Sequence, residues 1–244
     1  MIPRLFFRRM KKIRGIIAIT SYIKEAFISC GVTSGRILVA PDGVDLEEFE
    51  VKISKEECRR KLDLPLNEKI VLYAGHLYPW KGTDTLLEAA RKFRTFFVFV
   101  GGMENDVVEF RRNVGGLKNV KVIGHRPHGE IPYWLKAADV LVLPNSGKHD
   151  ISKYWTSPLK LFEYMASGVP VVATDLPSVR EILDRSSAFL SKPDNADELT
   201  RWIEKAFNDS SEAYRLADNA KRVVRNFSWS IRAERVLNFV SRSS

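Results

Sequence analysis

The chain has 244 residues, 45% of them hydrophobic, so it can bury the core of one large domain. Its formal net charge of +9 suits a polyanion, an anionic membrane surface or a phosphorylated small molecule, although a basic, solvated surface is the simplest explanation. There is no long apolar run, and neither the two cysteines nor the four histidines have disulfide or metal-ligand spacing, so we expect a cytoplasmic protein without a metal.

The first residues are basic and amphipathic. Segment 3–14 combines several cationic side chains with Leu5, Phe6 and Met10. We expect a short helix that buries these three apolar side chains in the fold. Peripheral contact with anionic lipid at the inner face of a membrane is the alternative.

Residues 1–45 have the pattern of the end of an α/β unit, because two short apolar strands flank one helix. A charged linker with one helix follows at 46–66. We therefore expect a remnant domain at 1–45, a linker at 46–66, a main domain at 67–228 and a C-terminal helix at 229–244. The elements expected in the remnant are a strand at 15–20, a helix at 22–29 capped by Ser21, and a strand at 36–40.

The main domain alternates apolar strands with amphipathic helices. Continuous apolar strands separated by helices predict a parallel sheet that is covered on both faces. The predicted fold class is therefore α/β, with a doubly wound, Rossmann-like sheet beside the small N-terminal α/β remnant. The predicted strands are 70–74, 96–100, 120–123, 140–143, 171–174 and 188–190. The predicted helices are 84–93, 105–114, 131–137, 158–167 and 178–183.

The helix predicted at 158–167 has the features of an anion-binding site. Ser157 is the expected N-cap, and Pro158 suits the first helical position. The unpaired N–H groups of the first turn, the positive end of the helix dipole and the charge of Lys160 all favour a phosphate there. Glu163 lies about 7–8 Å further along the helix than Pro158, which is about the distance from a diphosphate to the ribose of the same nucleotide.

The expected topology supplies an opposing lysine. In the usual doubly wound order the first and fourth strands are neighbours, and ligands bind beyond their carboxyl ends. This places Lys81, in the loop 75–82, opposite the helix start at Ser157, as a diphosphate clamp requires. Simpler explanations are a solvated Lys81, a surface-exposed Glu163 and a His76 that only occupies a turn.

Other candidates near this crevice are ambiguous. His125 and Arg126, after the third strand, either line a base pocket or form an exposed loop. Tyr154 and Trp155 either shield the site or only pack. There is no GxGxxG fingerprint, so we expect no nicotinamide or flavin cofactor.

Five blocks of residues stand in order along the chain: 41–45 with Phe49, 73–77 with 81–82, 124–125 with 138–140, 157–174, and 177–181. In sequence and spacing they resemble the retaining GT-B glycosyltransferases of the group 1 family (family 4-like). The resemblance covers nearly the whole chain. It implies that the main domain is the carboxyl-terminal, donor-binding domain, and that residues 1–45 match only the end of a truncated acceptor-binding domain.

The resemblance implies a nucleotide-sugar donor, usually a UDP- or GDP-sugar, bound without a metal or another cofactor. By position, Lys81 holds the diphosphate and Glu163 the ribose, and these two are the catalytic candidates. Backbone N–H groups near Leu159 and Lys160 cap the distal phosphate, and the loop with His125 faces the base. The full set of binding candidates is Gly75, His76, Lys81, His125, Arg126, Ser157, Leu159, Lys160 and Glu163.

The sequence departs from the family pattern at three points. The family typically has two glutamates eight positions apart, but the first position holds Trp155 here, with Asp150 as a speculative substitute. His76 stands where the family often has arginine, so one phosphate charge is missing or depends on histidine protonation. Most of the acceptor-binding half has no counterpart in the chain.

Our leading hypothesis is a glycosyltransferase that transfers a hexose to a glycan or lipid-linked acceptor with retention of configuration. It would need an acceptor-binding half, from a partner subunit or from a longer enzyme. The alternative is a nucleotide-sugar-binding module without transferase activity alone, and a nucleotide-sugar epimerase is a third interpretation. Nucleic-acid binding is not expected, because only the net charge favours it.

Overall fold

The structure is a computed structural model that describes residues 13–242. The helix expected around Leu5, Phe6 and Met10 lies outside these residues. The strands are β1 (Ile16–Ala18), β2 (Ile37–Val39), β3 (Ile70–Ala74), β4 (Phe96–Val100), β5 (Val120–Gly124), β6 (Val140–Leu143), β7 (Val171–Thr174) and β8 (Phe189–Ser191). The helices are α1 (Ser21–Ser29), α2 (Lys55–Lys61), α3 (Thr83–Lys92), α4 (Glu104–Val114), α5 (Ile131–Ala137), α6 (Asp150–Lys153), α7 (Leu159–Ser167), α8 (Pro177–Arg180), α9 (Ala196–Asn208), α10 (Ser210–Val223) and α11 (Trp229–Arg242).

The main sheet has six parallel strands in the order β5-β4-β3-β6-β7-β8. From β3, the next two strands of the chain, β4 and β5, extend the sheet in one direction. The following strand, β6, pairs with the other edge of β3, where Val71 lies beside Val140. This reversal is the switch point of a doubly wound sheet, so the predicted fold class is confirmed. It places the loops that follow β3 and β6 side by side.

The apolar strands are explained by burial on both faces. Leu72 packs into a hydrophobic layer with residues of α5 and α7, and its neighbours Val71 and Tyr73 pack into the opposite layer with α3 and α4. Successive side chains of a strand point to opposite faces, so a strand that is covered on both sides needs apolar residues throughout. All five residues of β3 are buried.

The segment 46–66 packs onto the main domain. Phe49, Cys58 and Leu64 are buried in the same layer as α7. The α2 helix is held by Asp139 at the start of β6, whose carboxylate accepts hydrogen bonds from Lys55 Nζ at 2.8 Å and from Arg59 at 2.7 Å. The segment expected as a linker is therefore part of the packed core.

The remnant is a two-stranded parallel sheet, β1 and β2, with α1. The C-terminal segment returns to it, because the Val44 N–H donates to the Phe227 carbonyl at 3.0 Å and the Trp229 N–H donates to the Val44 carbonyl at 3.3 Å. A Cβ at Gly43 would lie 2.7 Å from the Phe227 oxygen, so only glycine fits there. The α11 helix continues along the remnant, and Arg232 donates to the Pro41 carbonyl at 2.9 Å.

Two expected helix caps are wrong. The N-cap of α1 is Thr20, whose hydroxyl accepts the Ile23 N–H at 3.1 Å, while Ser21 is already helical and its N–H and hydroxyl donate to the Glu181 carboxylate. The N-cap of α7 is Pro158, and Ser157 makes no capping bond. In both places a tertiary contact uses the serine hydroxyl. Among residues 13–242, no helix combines the length and apolarity needed to cross a membrane.

Candidate functional site

A cavity of about 520 Å³ opens at the switch point, beyond the carboxyl ends of β3 and β4. Its walls come from the loops after β3, β4 and β5 and from the first turns of α7. The structure brings all nine predicted binding residues to this one cavity: Gly75, His76, Lys81, His125, Arg126, Ser157, Leu159, Lys160 and Glu163. Trp155 and Asp150 are not among its lining residues.

Lys81 reaches the cavity from the loop after β3. It ends a short 3-10 turn, and Gly82 follows in a left-handed conformation with φ +70°, where a Cβ would overlap the Pro144 carbonyl oxygen. The Lys81 Nζ atom lies 3.8 Å from the centroid of the Trp80 ring, a cation–π contact that holds the side chain. Burial lowers the pKa of Lys81 to about 8. A nearby anion would therefore raise this pKa and stabilise the charged form of Lys81.

Lys160 lies on the opposite wall, in the first turn of α7. Its Nζ atom sits 3.8 Å above the Tyr73 ring and has no hydrogen-bond partner among the described residues, although the residue is only 8% exposed. Burial, and then the nearby charge of Lys81, lower the pKa of Lys160 well below its ordinary value. Two buried lysines that repel each other are stabilised in their charged forms by an anion between them.

Gly75 makes room for this arrangement. It follows β3 with φ +138°, and a Cβ there would lie 2.5 Å from Lys160 Nζ. One turn further along the same face of the helix, the Tyr164 hydroxyl accepts the Ala74 N–H at 2.7 Å and so ties α7 to the end of β3. The end of β3 and the first two turns of α7 are therefore fixed relative to each other.

The start of α7 differs from the prediction at Ser157. Its hydroxyl accepts the Asp42 N–H at 2.9 Å, so it joins the end of the remnant to the site and does not cap the helix. Burial raises the pKa of Asp42, which lines the same cavity. The backbone N–H groups of Leu159 and Lys160 have no intrahelical partner at this terminus, as an anion site requires.

Glu163 is held by a histidine that the sequence did not indicate. His128 Nε2 lies 3.1 Å from a Glu163 carboxylate oxygen, and His128 Nδ1 lies 3.0 Å from Glu48. The hydrogen bond with Glu163, reinforced by the charges of both glutamates, raises the pKa of His128. The three residues are 35 and 80 positions apart in the chain, so no local spacing could have revealed them.

The remaining candidates line other parts of the cavity. His76 stacks on Tyr78 with the ring centroids 4.9 Å apart, and burial together with the charges of Lys81 and Lys160 lowers its pKa. It therefore does not replace an arginine charge at neutral pH. Arg126 lies 3.8 Å from Glu130, one turn further along the chain, and donates to the His125 carbonyl at 2.9 Å.

Comparison with known proteins identifies the class. The α/β fold is Rossmann-like, and solved structures of GT-B glycosyltransferases share it. Residues 54–223 match the family model of the glycosyl transferases group 1, and the chain belongs to this family.

One relative is the D-inositol 3-phosphate glycosyltransferase of Streptosporangium roseum, 27% identical over 223 residues, which are 84% of this chain and 49% of the relative. The chain thus spans about half the length of that protein. A glycosyltransferase structure from Rickettsia africae has a TM-score of 0.83 at 20% identity and covers 99% of this chain and 68% of its own. The structure of Anabaena Alr3699/HepE in complex with UDP-glucose has a TM-score of 0.79 at 22% identity, and the match covers 98% of this chain and 67% of the HepE chain.

Proposed function

We propose that this chain binds the nucleotide-sugar donor of a glycosyltransferase and transfers its hexose to a glycan or lipid-linked acceptor with retention of configuration. The observation that carries the proposal is that Lys81 and Lys160 line one cavity at the switch point, where burial lowers the pKa of both amines and Lys160 Nζ has no hydrogen-bond partner among the described residues. A diphosphate supplies the missing negative charge. Family membership and the UDP-glucose complex of the HepE structure support a UDP-sugar, with a GDP-sugar as the other choice.

In the proposed complex the diphosphate lies between Lys81 and Lys160, and the N–H groups at the start of α7 bind its distal phosphate. Glu163 accepts hydrogen bonds from the ribose hydroxyls, and the loop with His125 and Arg126 lies beside the base. All these groups line the cavity. The positive charge that a metal would otherwise provide comes from the two lysines.

The proposed chemistry is mainly electrostatic. As the bond between the sugar and the diphosphate breaks, negative charge develops on the departing phosphate oxygen, and the lysine ammonium groups stabilise it. The acceptor hydroxyl attacks from the side on which the diphosphate departs and passes its proton to the departing phosphate oxygen, so the anomeric configuration is retained. Holding donor and acceptor together supplies the remaining rate enhancement.

The acceptor half is also part of the proposal. The chain covers 49% of its Streptosporangium relative, so we propose that the acceptor-binding domain comes from a partner subunit or from additional chain. The basic segment 3–14 suits peripheral contact at the inner membrane face, where a lipid-linked acceptor would lie. The same partial coverage of the relative favours a second candidate function, in which this chain alone binds the donor without transferring the sugar.

Calorimetry with UDP-, GDP- and ADP-sugars tests the proposal. We expect one nucleotide series to bind the folded protein, and binding to none of them refutes the proposal. Incubation with the binding donor and candidate acceptors, with and without an acceptor-binding partner, then separates transferase from binding module. Donor binding without transfer under every condition favours the second candidate function.

A further inference from the structure

His128 connects two carboxylates that belong to different parts of the fold. Glu163 lies on α7, whereas Glu48 lies in a short 3-10 turn, Glu47–Phe49. His128 sits between them in the loop after β5, and its ring meets the Phe49 ring edge-on with the centroids 6.2 Å apart. Phe49 is buried in the core, so the Glu48 turn is anchored. The contacts with Glu48 and Phe49, which both belong to the segment 46–66, therefore orient the imidazole.

The Glu163 carboxylate depends on this histidine for its orientation. The Glu163 side chain is 16% exposed, and within residues 13–242 His128 is its one hydrogen-bond partner. The contact uses oxygen Oε1, and no hydrogen bond within residues 13–242 uses the other oxygen of this carboxylate, although Glu163 lines the cavity. A glutamate side chain has three rotatable bonds, so fixing one oxygen removes much of the entropy that ligand binding would otherwise have to remove.

The two contacts of the ring require both nitrogens to donate. Only the imidazolium carries a proton on Nδ1 and on Nε2 at once, and in the neutral ring one nitrogen presents a lone pair to a carboxylate. The charged groups that face His128 are Glu48 from the 3-10 turn and Glu163 from α7. In its own loop, Arg126 is turned toward Glu130. Both facing carboxylates therefore favour the charged ring.

We propose that His128 is a positioning residue for nucleotide recognition: held by Glu48, it fixes the Glu163 carboxylate so that it can accept a hydrogen bond from the ribose 2′-hydroxyl. This inference rests on the proposed function, because it assigns a role within the same nucleotide site. It adds a residue outside the predicted set, and it makes ribose recognition depend on the protonation of one histidine.

The test compares UDP with 2′-deoxy-UDP by calorimetry, since the two ligands differ only at the ribose 2′-hydroxyl. The dissociation constant of 2′-deoxy-UDP divided by that of UDP measures recognition of this hydroxyl, and contributions from the base, the 3′-hydroxyl and the diphosphate cancel. In His128→Ala we expect this ratio to fall about 5- to 10-fold, through weaker UDP binding and with little change for 2′-deoxy-UDP. If UDP does not bind and GDP does, the guanosine pair of ligands replaces the uridine pair.

Two further variants separate positioning from a structural role. His128→Gln keeps an N–H donor near the Nε2 position, so it should restore part of the ratio. In a Glu163→Ala background, His128→Ala should change the ratio no further, because both substitutions remove the same contact. His149→Gln is the matched control, since His149 lies outside the cavity lining.

The pH profile provides an independent readout. As the pH rises through the raised pKa of His128, the imidazolium loses one proton and the ratio of the wild-type protein should fall. The ratio should fall less in His128→Gln. Lys81, Lys160 and His76 also titrate near this site, and the charges of Lys160 and Glu163 interact, so the profile of His128→Gln is the reference that contains their contribution.

The outcomes are distinct. A ratio that is unchanged in His128→Ala, or UDP binding that becomes tighter, overturns the positioning role while the proposed function stands. Equal weakening of UDP and 2′-deoxy-UDP assigns His128 a structural role and also overturns the inference. Wild-type protein that binds none of UDP, GDP and ADP, alone or as their sugars, refutes the proposed function itself.

Discussion

The Nζ atom of Lys160 lies 3.8 Å from the centroid of the Tyr73 ring, in a place where burial removes its water and nothing within the described part of the chain accepts its hydrogen bonds. A buried charge of this kind destabilises the fold and is retained where a ligand uses it. Stability and ligand binding should therefore respond in opposite directions when this charge is removed.

Lys160→Met tests this opposition. Methionine keeps most of the side-chain volume without the charge, so we expect the free energy of unfolding of the ligand-free protein to stay level or rise by up to about 2 kcal/mol. UDP affinity should fall at least about tenfold. Chemical denaturation and calorimetry measure the two effects, with exposed Lys118→Met as the control. Unchanged UDP affinity would contradict the role of Lys160.

Lys81→Ala should reduce UDP affinity by about 1.5–3 kcal/mol, because it removes a charge-assisted contact with the diphosphate. The pH dependence follows from the lowered pKa. Below about 8 Lys81 carries its proton in the free protein, and above that value binding must include proton uptake, so UDP affinity should fall as the pH rises through about 8.

Lys81→Arg is the control for this pH dependence, because a guanidinium stays charged throughout. Any pH dependence of UDP affinity that remains in Lys81→Arg comes from the other groups of the cavity with lowered pKa values, Lys160 and His76. Calorimetry in buffers of different ionisation enthalpy counts the protons taken up. Identical pH profiles for the wild-type protein and Lys81→Arg would show that Lys81 does not contact the diphosphate.

Gly75→Ala should destabilise the protein by about 1–3 kcal/mol, because the φ of +138° strains an alanine and the new Cβ meets Lys160. It should also weaken UDP binding by displacing the Lys160 amine. Gly116→Ala is the matched control, since a Cβ there meets nothing within 4 Å. Thermal melts and calorimetry measure both properties, and equal effects of the two substitutions would contradict this account of Gly75.

Asp139→Asn should destabilise the protein by about 2–4 kcal/mol, since it breaks the contacts with Lys55 and Arg59 and leaves Arg59 buried. Burial acts to raise the pKa of Asp139, but hydrogen bonds from Lys55 and the Ile70 N–H outweigh it, so this pKa lies below its ordinary value of 3.8.

A lowered pKa stabilises the fold above the unfolded value and loses this effect as the pH falls through the native value. The stability difference between wild-type protein and Asp139→Asn should therefore be full at neutral pH and shrink as the pH falls below about 4. Exposed Asp218→Asn is the control. A difference that is independent of pH would show that the lost charge is not responsible.

The sequence predicted the sheet and the location of the cavity because both follow from local patterns. β3, β4, β6 and β7 begin and end at the predicted residues, since strands buried on both faces are apolar throughout and end at glycine, proline or polar residues. The strand order then fixes which loops meet. The sequence alone therefore predicts that Lys81 lies opposite the start of the helix that carries Lys160.

The features that were missed depend on tertiary contacts. Ser157 has the residue type of an N-cap, but its hydroxyl is used by Asp42 from the remnant, 115 positions away. The contact of His128 with Glu163 and Glu48 joins three separate segments. The low pKa of Lys160 depends on burial, and the sequence pattern of an amphipathic helix does not indicate that this lysine is buried.

The central claim is that Lys81 and Lys160 together receive the diphosphate of a nucleotide sugar. Calorimetry of UDP and uridine, with the wild-type protein and the double variant Lys81→Met/Lys160→Met, tests it most directly. We predict that the wild-type protein binds UDP at least about 100-fold more tightly than uridine and that the double variant keeps less than about a tenth of this preference, the part due to the N–H groups of α7. A double variant that keeps the wild-type preference for UDP would contradict the claim.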